Sequence, residues 1–152
     1  MLRFLPSVVT TSDAGAGVGY TGIRVRGSDA TRVNVTINGI AYNDAESHGT
    51  FWVNLADFAS SVSDLQLQRG VGTSTNGAAA FGASININTT EPSNDAYALL
   101  SSSAGSFSTF KNTVKFSTAM SKSGFELSGR LSSVTSDGYI DRASSSLKGY
   151  FL

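Results

Sequence analysis

The residues best equipped for chemistry lie in Tyr42-Asn43-Asp44-Ala45-Glu46-Ser47-His48-Gly49-Thr50-Phe51-Trp52. Asp44, Glu46 and His48 offer two carboxylates and an imidazole, donor types that suit a divalent metal, but the stretch has no periodicity to fix their geometry. A solvated loop histidine is the plainer reading, and no metal site is expected. Ser, His and Asp are all present, as a hydrolytic triad requires. The nucleophile elbow Gly-x-Ser-x-Gly is absent, however, and the single histidine sits in this loop. No enzyme is expected.

Two glycine clusters invite a nucleotide. Gly72 and Gly77 have the separation of a phosphate loop, yet Ala78 and Ala79 follow where a lysine and a hydroxyl would reach the terminal phosphates and magnesium. Gly15, Gly17 and Gly19 miss the dinucleotide spacing, and no clear strand precedes them. The glycines therefore read as packing and turning devices, and no cofactor is expected.

The elements that would position the loop alternate between apolar and polar residues. Ile23-Arg24-Val25-Arg26-Gly27 and Arg32-Val33-Asn34-Val35-Thr36-Ile37 read as strands with one buried face. Asn38-Gly39 supplies two residues that tolerate positive φ, so a type I′ hairpin turn is expected before Ile40 and Tyr42. Asn54 reads as an N-cap with Leu55, Phe58, Ala59 and Val62 along one helical face, and predicts a short amphipathic helix. Trp52 is expected in the core. Leu65 and Leu67, then Ile85 and Ile87, mark two more strands around the glycine-rich run.

After Glu91-Pro92-Ser93-Asn94-Asp95 the pattern changes: strands lengthen and no helical pattern returns, which places a domain boundary there. Phe110, Val114, Phe116 and Met120 fall on one side of a strand whose other side carries Lys111, Thr113, Lys115 and Ser117. Leu127 and Leu131 then oppose Glu126, Ser128, Arg130 and Ser132. Two-faced strands of ~9 to 11 residues suit a membrane barrel wall. A soluble antiparallel sheet with one solvated face alternates in the same way.

Charge excludes other classes. The 152 residues hold 11 basic and 11 acidic side chains, so no basic face is available for nucleic acid. With no cysteine there is no disulfide framework and no thiolate metal site. No apolar run approaches the ~20 residues of a membrane helix, and Met1 to Pro6 is too short for an export signal.

Taken in order, Gly22 to Gly27, Arg32 to Gly39, Leu65 to Gly70 and Phe81-Gly82-Ala83-Ser84-Ile85-Asn86-Ile87-Asn88-Thr89 resemble the plug of a TonB-dependent outer-membrane receptor. The resemblance implies an α+β plug domain over residues 1–90, with a small mixed sheet and short helices. Residues 91–152 would be the first antiparallel hairpins of an incomplete transmembrane β-barrel. It further implies ligand-specific import of a scarce nutrient across the outer membrane, with the TonB complex, membrane lipid and the nutrient as partners, and it allows a surface lipoprotein partner. By the same resemblance Arg26 and Arg69 would pair with carboxylates on the barrel wall, and Asn43, Asp44, Glu46, Ser47 and His48 would face incoming ligand. The chain departs from the family pattern in lacking an export signal, a TonB-contacting segment and most barrel strands; membrane barrels need at least ~8 to close. The competing expectation is a soluble β-rich binding or adhesin module, which would bury the apolar faces of its last strands.

Overall fold

A computed structural model of the chain describes residues 2–13, 19–72, 80–89 and 91–152. These form two compact units, one comprising the described residues up to Asn54 together with Val62–Thr89, the other residues 55–61 and the chain from 91 onward.

In the first unit, strands β1 (Val8–Ser12) and β2 (Thr21–Val25) form an antiparallel pair. Strands β3 (Val33–Ile37), β4 (Ile40–Ala41), β5 (Val62–Arg69) and β6 (Ala83–Thr89) form a mixed sheet in the order β4-β3-β6-β5, with β3 parallel to β6. The register sets Val35 beside Ile85 and Ile85 beside Leu67. Ile23, Val25, Val33, Val35, Ile85 and Ile87 are buried as its core. The expected hairpin turn is present, with φ of 50° at Asn38 and 79° at Gly39. The β1 strand was not expected from the sequence.

Around the glycine-rich run, Gly70 N donates to Gly82 O (2.9 Å) and Gly72 N to Ala80 O (2.7 Å), so the ends of the run are drawn together by backbone bonds. Residues 73–79, with Gly77, Ala78 and Ala79, lie outside the described residues, as does the cluster from Gly15 to Gly17. Gly82 also donates to Arg32 O, and a Cβ at Gly82 would stand 2.5 Å from that oxygen. At this position glycine permits two backbone segments to touch.

The predicted amphipathic helix is replaced by two 3-10 turns, Trp52–Asn54 and Phe58–Ser61. Between them Asp57 takes φ of 53°, a left-handed conformation that stops an α-helical hydrogen-bond ladder. Trp52 is partly buried rather than enclosed in the core, and Phe51 is exposed.

In the second unit, β7 (Tyr97–Gly105), β8 (Thr109–Ser117), β9 (Ser128–Ser136) and β10 (Ser145–Phe151) follow one another as an antiparallel meander. The sheet does not close. Its burial is inverted relative to a soluble sheet: Thr113, Ser117, Arg130, Ser132 and Ser136 are covered. Leu100 is 71% exposed, Phe110 54%, Leu131 55% and Tyr150 77%. Register explains the split, since Leu100, Val114, Leu131 and Tyr150 form one cross-strand row on the bare face. A soluble module would present the opposite faces. An apolar outer face with a polar inner one belongs to strands that meet lipid.

Gly82→Ala is expected to destabilise the first unit by ~1 to 3 kcal/mol, because the backbone oxygen that it meets cannot yield as a flexible side chain would. Hydrogen exchange along β3 and β6 reports it; unaltered protection in both strands would remove the close-approach role.

Candidate functional site

The loop from Tyr42 to Trp52 leaves β4 in an ordered path. Asn43 lies beside β3: its Oδ1 accepts from Val35 N at 2.7 Å, and its Nδ2 donates to Val33 O at 2.9 Å and to His48 O at 2.8 Å. A side-chain amide thus matches the donor and acceptor of a neighbouring strand and closes the loop at the same time. Asp44 fastens the tip, its Oδ2 accepting from Ser47 N (2.7 Å) and Ser47 Oγ (2.8 Å). These bonds from Ser47 hold the Asp44 carboxyl below the usual carboxylate range. Glu46 and His48 are exposed, with His48 at φ of 57°. Of the five expected ligand-facing residues, Asn43, Asp44 and Ser47 therefore shape the loop, while Glu46 and His48 present free functional groups to solvent. Among the described residues, no cluster of three or more His, Cys, Asp or Glu side chains could hold a metal ion.

Arg26 and Arg69 are both exposed. Arg26 and Gly27 form the centre of a tight turn, with φ of 49° and 80°, and Val25 and Ser28 pair across it. Arg69 ends β5 opposite Ala83. Neither arginine takes part in the ion pairs found among the described residues.

An ion cluster that the sequence reading missed lies within the second unit. The Asp57 side chain is only 5% exposed, and Arg130, from β9, only 4%. Arg130 Nη1 stands 3.0 Å from Asp57 Oδ2, and Lys111 Nζ, from β8, stands 2.5 Å from Oδ1. Hydroxyls complete the shell: Arg130 Nε donates to Ser61 Oγ (2.6 Å), Nη1 also donates to Ser132 Oγ (2.8 Å), and Lys111 donates to Ser60 Oγ (2.8 Å). Thr113 Oγ1 donates weakly to Asp57 at 3.3 Å. Gly149 on β10 leaves room for the segment, since a Cβ there would come within 3.1 Å of Ala56 O. Phe58 packs edge to face on Phe151, with ring centroids 6.0 Å apart.

The polarity is the reverse of the pairing expected for Arg26 and Arg69: here the strands supply the cations and the segment before β5 supplies the acid. A signal was available in the sequence, because Asp57 is the only charged residue between His48 and Asp64. The pairing register of β8 with β9, which brings Lys111 and Arg130 within reach of one carboxylate, was not.

Burial raises the pKa of Asp57, but hydrogen bonds from Lys111 and Ser60 and the charges of Lys111 and Arg130 outweigh it and hold the carboxyl below its ordinary range. A depressed carboxylate contributes stability above its unfolded pKa of ~3.9 and loses it as pH falls through the lower folded value. Protection of residues 55–61 from exchange should therefore persist at pH 5 and fade only below about pH 4. Asp57→Ala should cost ~3 to 5 kcal/mol by leaving Arg130 buried without its counter-charge. Equal exchange of this segment in wild type and variant would dismiss the cluster as a fastening.

The family model described as "TonB-dependent Receptor Plug Domain" matches residues 1–84. No curated protein matches the chain. Among solved structures, the copper transporter OprC superposes with a TM-score of 0.68 at 19% identity, over 98% of this chain and 23% of that one. The alcaligin outer-membrane receptor FauA from Bordetella pertussis gives 0.66 at 17% identity, over 90% and 23%. The pyoverdine receptor FpvA from Pseudomonas aeruginosa PAO1, bound to pyoverdine, gives 0.64 at 17% identity, over 89% and 19%. At these identities the likeness is one of fold, and the chain spans about a fifth of the length of those receptors. Through the plug domain that its first 84 residues match, the chain belongs to the TonB-dependent receptors, a family of outer-membrane receptors and transporters rather than enzymes.

Proposed function

We propose that this chain supplies the plug, over residues 1–90, and the first wall strands, over 91–152, of a receptor that imports a scarce nutrient such as an iron chelate, vitamin, glycan or peptide. The observation that carries the reading is the inverted sheet, whose apolar row from Leu100 to Tyr150 is bare while Arg130 and its polar neighbours are covered. Such a sheet needs lipid on one side and a filled lumen on the other. The similar structures include a copper transporter and receptors for alcaligin and pyoverdine, which supports import as the activity.

In this mechanism ligand meets the tip from Asn43 to His48, and contact with the TonB complex rearranges the plug to open a path. Arg26 and Arg69, both exposed, are available to carboxylates on other parts of the wall. A surface lipoprotein is a further candidate partner at the outer opening. No covalent step is involved.

Replacing Asp44, Glu46 and His48 together should weaken nutrient uptake by the receptor that carries this chain. The milder pair Glu46→Gln with His48→Asn keeps the Asp44–Ser47 bonds and a residue tolerant of positive φ, so it separates ligand contact from loop collapse. Uptake at wild-type affinity in both variants would count against the tip as the ligand site. For the arginines, Arg26→Ala and Arg69→Ala should each lower exchange protection of the plug, and unchanged protection would refute the pairing.

A further inference from the structure

The bare face of the second unit carries one row that is polar on all four strands. The strand register aligns Ser102, Asn112, Ser133 and Lys148 in a single row across β7, β8, β9 and β10. The side chains point to the same side as the apolar row Leu100, Val114, Leu131 and Tyr150, which lies immediately beside it. On the other side stand Ala104, Phe110, Thr135 and Ser146.

This polar row is rich in donors and contains no acid. Ser102 Oγ donates to Asn112 Oδ1 at 2.8 Å, which leaves the Asn112 amide nitrogen, the Ser133 hydroxyl and the Lys148 ammonium to meet something else. Lys148 is exposed and takes part in none of the ion pairs among the described residues. No Asp or Glu occurs at any outward position of the four strands, so Lys148 has no counter-charge on that face. A shallow groove of about 590 Å³ joins the two rows, lined by Asn112, Val114, Leu131, Ser133, Lys148 and Tyr150.

A lysine on a lipid-facing wall costs ~2 to 4 kcal/mol at the bilayer midplane and little near the interfaces. The row must therefore lie at headgroup depth, where Tyr150 and Phe110 on either side are also at home. We infer that Lys148, Asn112 and Ser133 form a binding site for the anionic, phosphate-bearing headgroup of a membrane lipid, whose acyl chain lies in the groove along Val114, Leu131 and Tyr150. Charge complementarity selects this occupant: three donors meet an anion, and an apolar channel leads away from them toward the hydrocarbon. The inference rests on the membrane orientation proposed above.

The test uses the receptor that carries this chain, first floated with vesicles and then titrated in detergent with phosphatidylglycerol, phosphatidylcholine and inorganic phosphate under native mass spectrometry. Lys148→Gln should weaken phosphatidylglycerol binding about fivefold, as expected for one cation at a charged surface. Lys148→Arg should retain it, and phosphatidylcholine binding should be the same in all three proteins. Equal phosphatidylglycerol binding by wild type and Lys148→Gln overturns the headgroup site, as does inorganic phosphate that competes fully with the lipid. Failure of the wild type to float with vesicles sinks the membrane reading itself, and the site with it.

Discussion

A guanidinium withdrawn from water must be met by a negative charge, and in this chain that requirement falls on Arg130. Its side chain is almost wholly covered, and the carboxylate that meets it comes from residue 57, outside the strands altogether. The demand dictates local backbone: Asp57 adopts a left-handed conformation, the helix suggested by the apolar spacing breaks into two short turns, and Ser60 and Ser61 are rotated toward the cations. Isolated buried pairs often contribute little net stability, because desolvation offsets attraction. Their effect is to make any arrangement without the partner costly, and so to specify one seating for the segment.

The same cluster depends on the inversion of the sheet. In a soluble sheet Arg130 and Lys111 would be the solvated side chains and would need no partner. Here their face is covered while leucines, phenylalanine and tyrosine are left bare, so polar side chains on the covered side have to satisfy one another. Ser117, covered on that face, shows the pattern again: its hydroxyl donates to Glu126 Oε1, whose other oxygen accepts from Ser93 N.

Much of this was legible beforehand because it is periodic. The two-residue alternation of β8 and β9 survives in the structure, and Asn38-Gly39 announced a turn that only residues tolerant of positive φ can make. What stayed hidden depends on pairings distant in sequence. The spacing from Leu55 to Val62 fits a helix, but tertiary bonds to Lys111 and Arg130, more than fifty residues away, decide its conformation instead. Likewise nothing in the loop's own sequence announces that the Asn43 amide bonds to the backbone of β3, a strand reached only through the fold. Val8–Ser12 carried too little apolar alternation to stand out as a strand, and pairs with β2 through its backbone.

That amide has an evolutionary consequence. Because Asn43 grips β3 directly and the tip closes on itself through Asp44, the positions in between are insulated from the sheet below. Ala45 and Glu46 can be exchanged without repacking anything, and position 48 accepts residues that tolerate positive φ, so the proposed ligand-facing tip can be retuned while the scaffold beneath stays fixed. Variation concentrated at 45, 46 and 48, with 43 held as asparagine, is how such a loop would diversify its specificity.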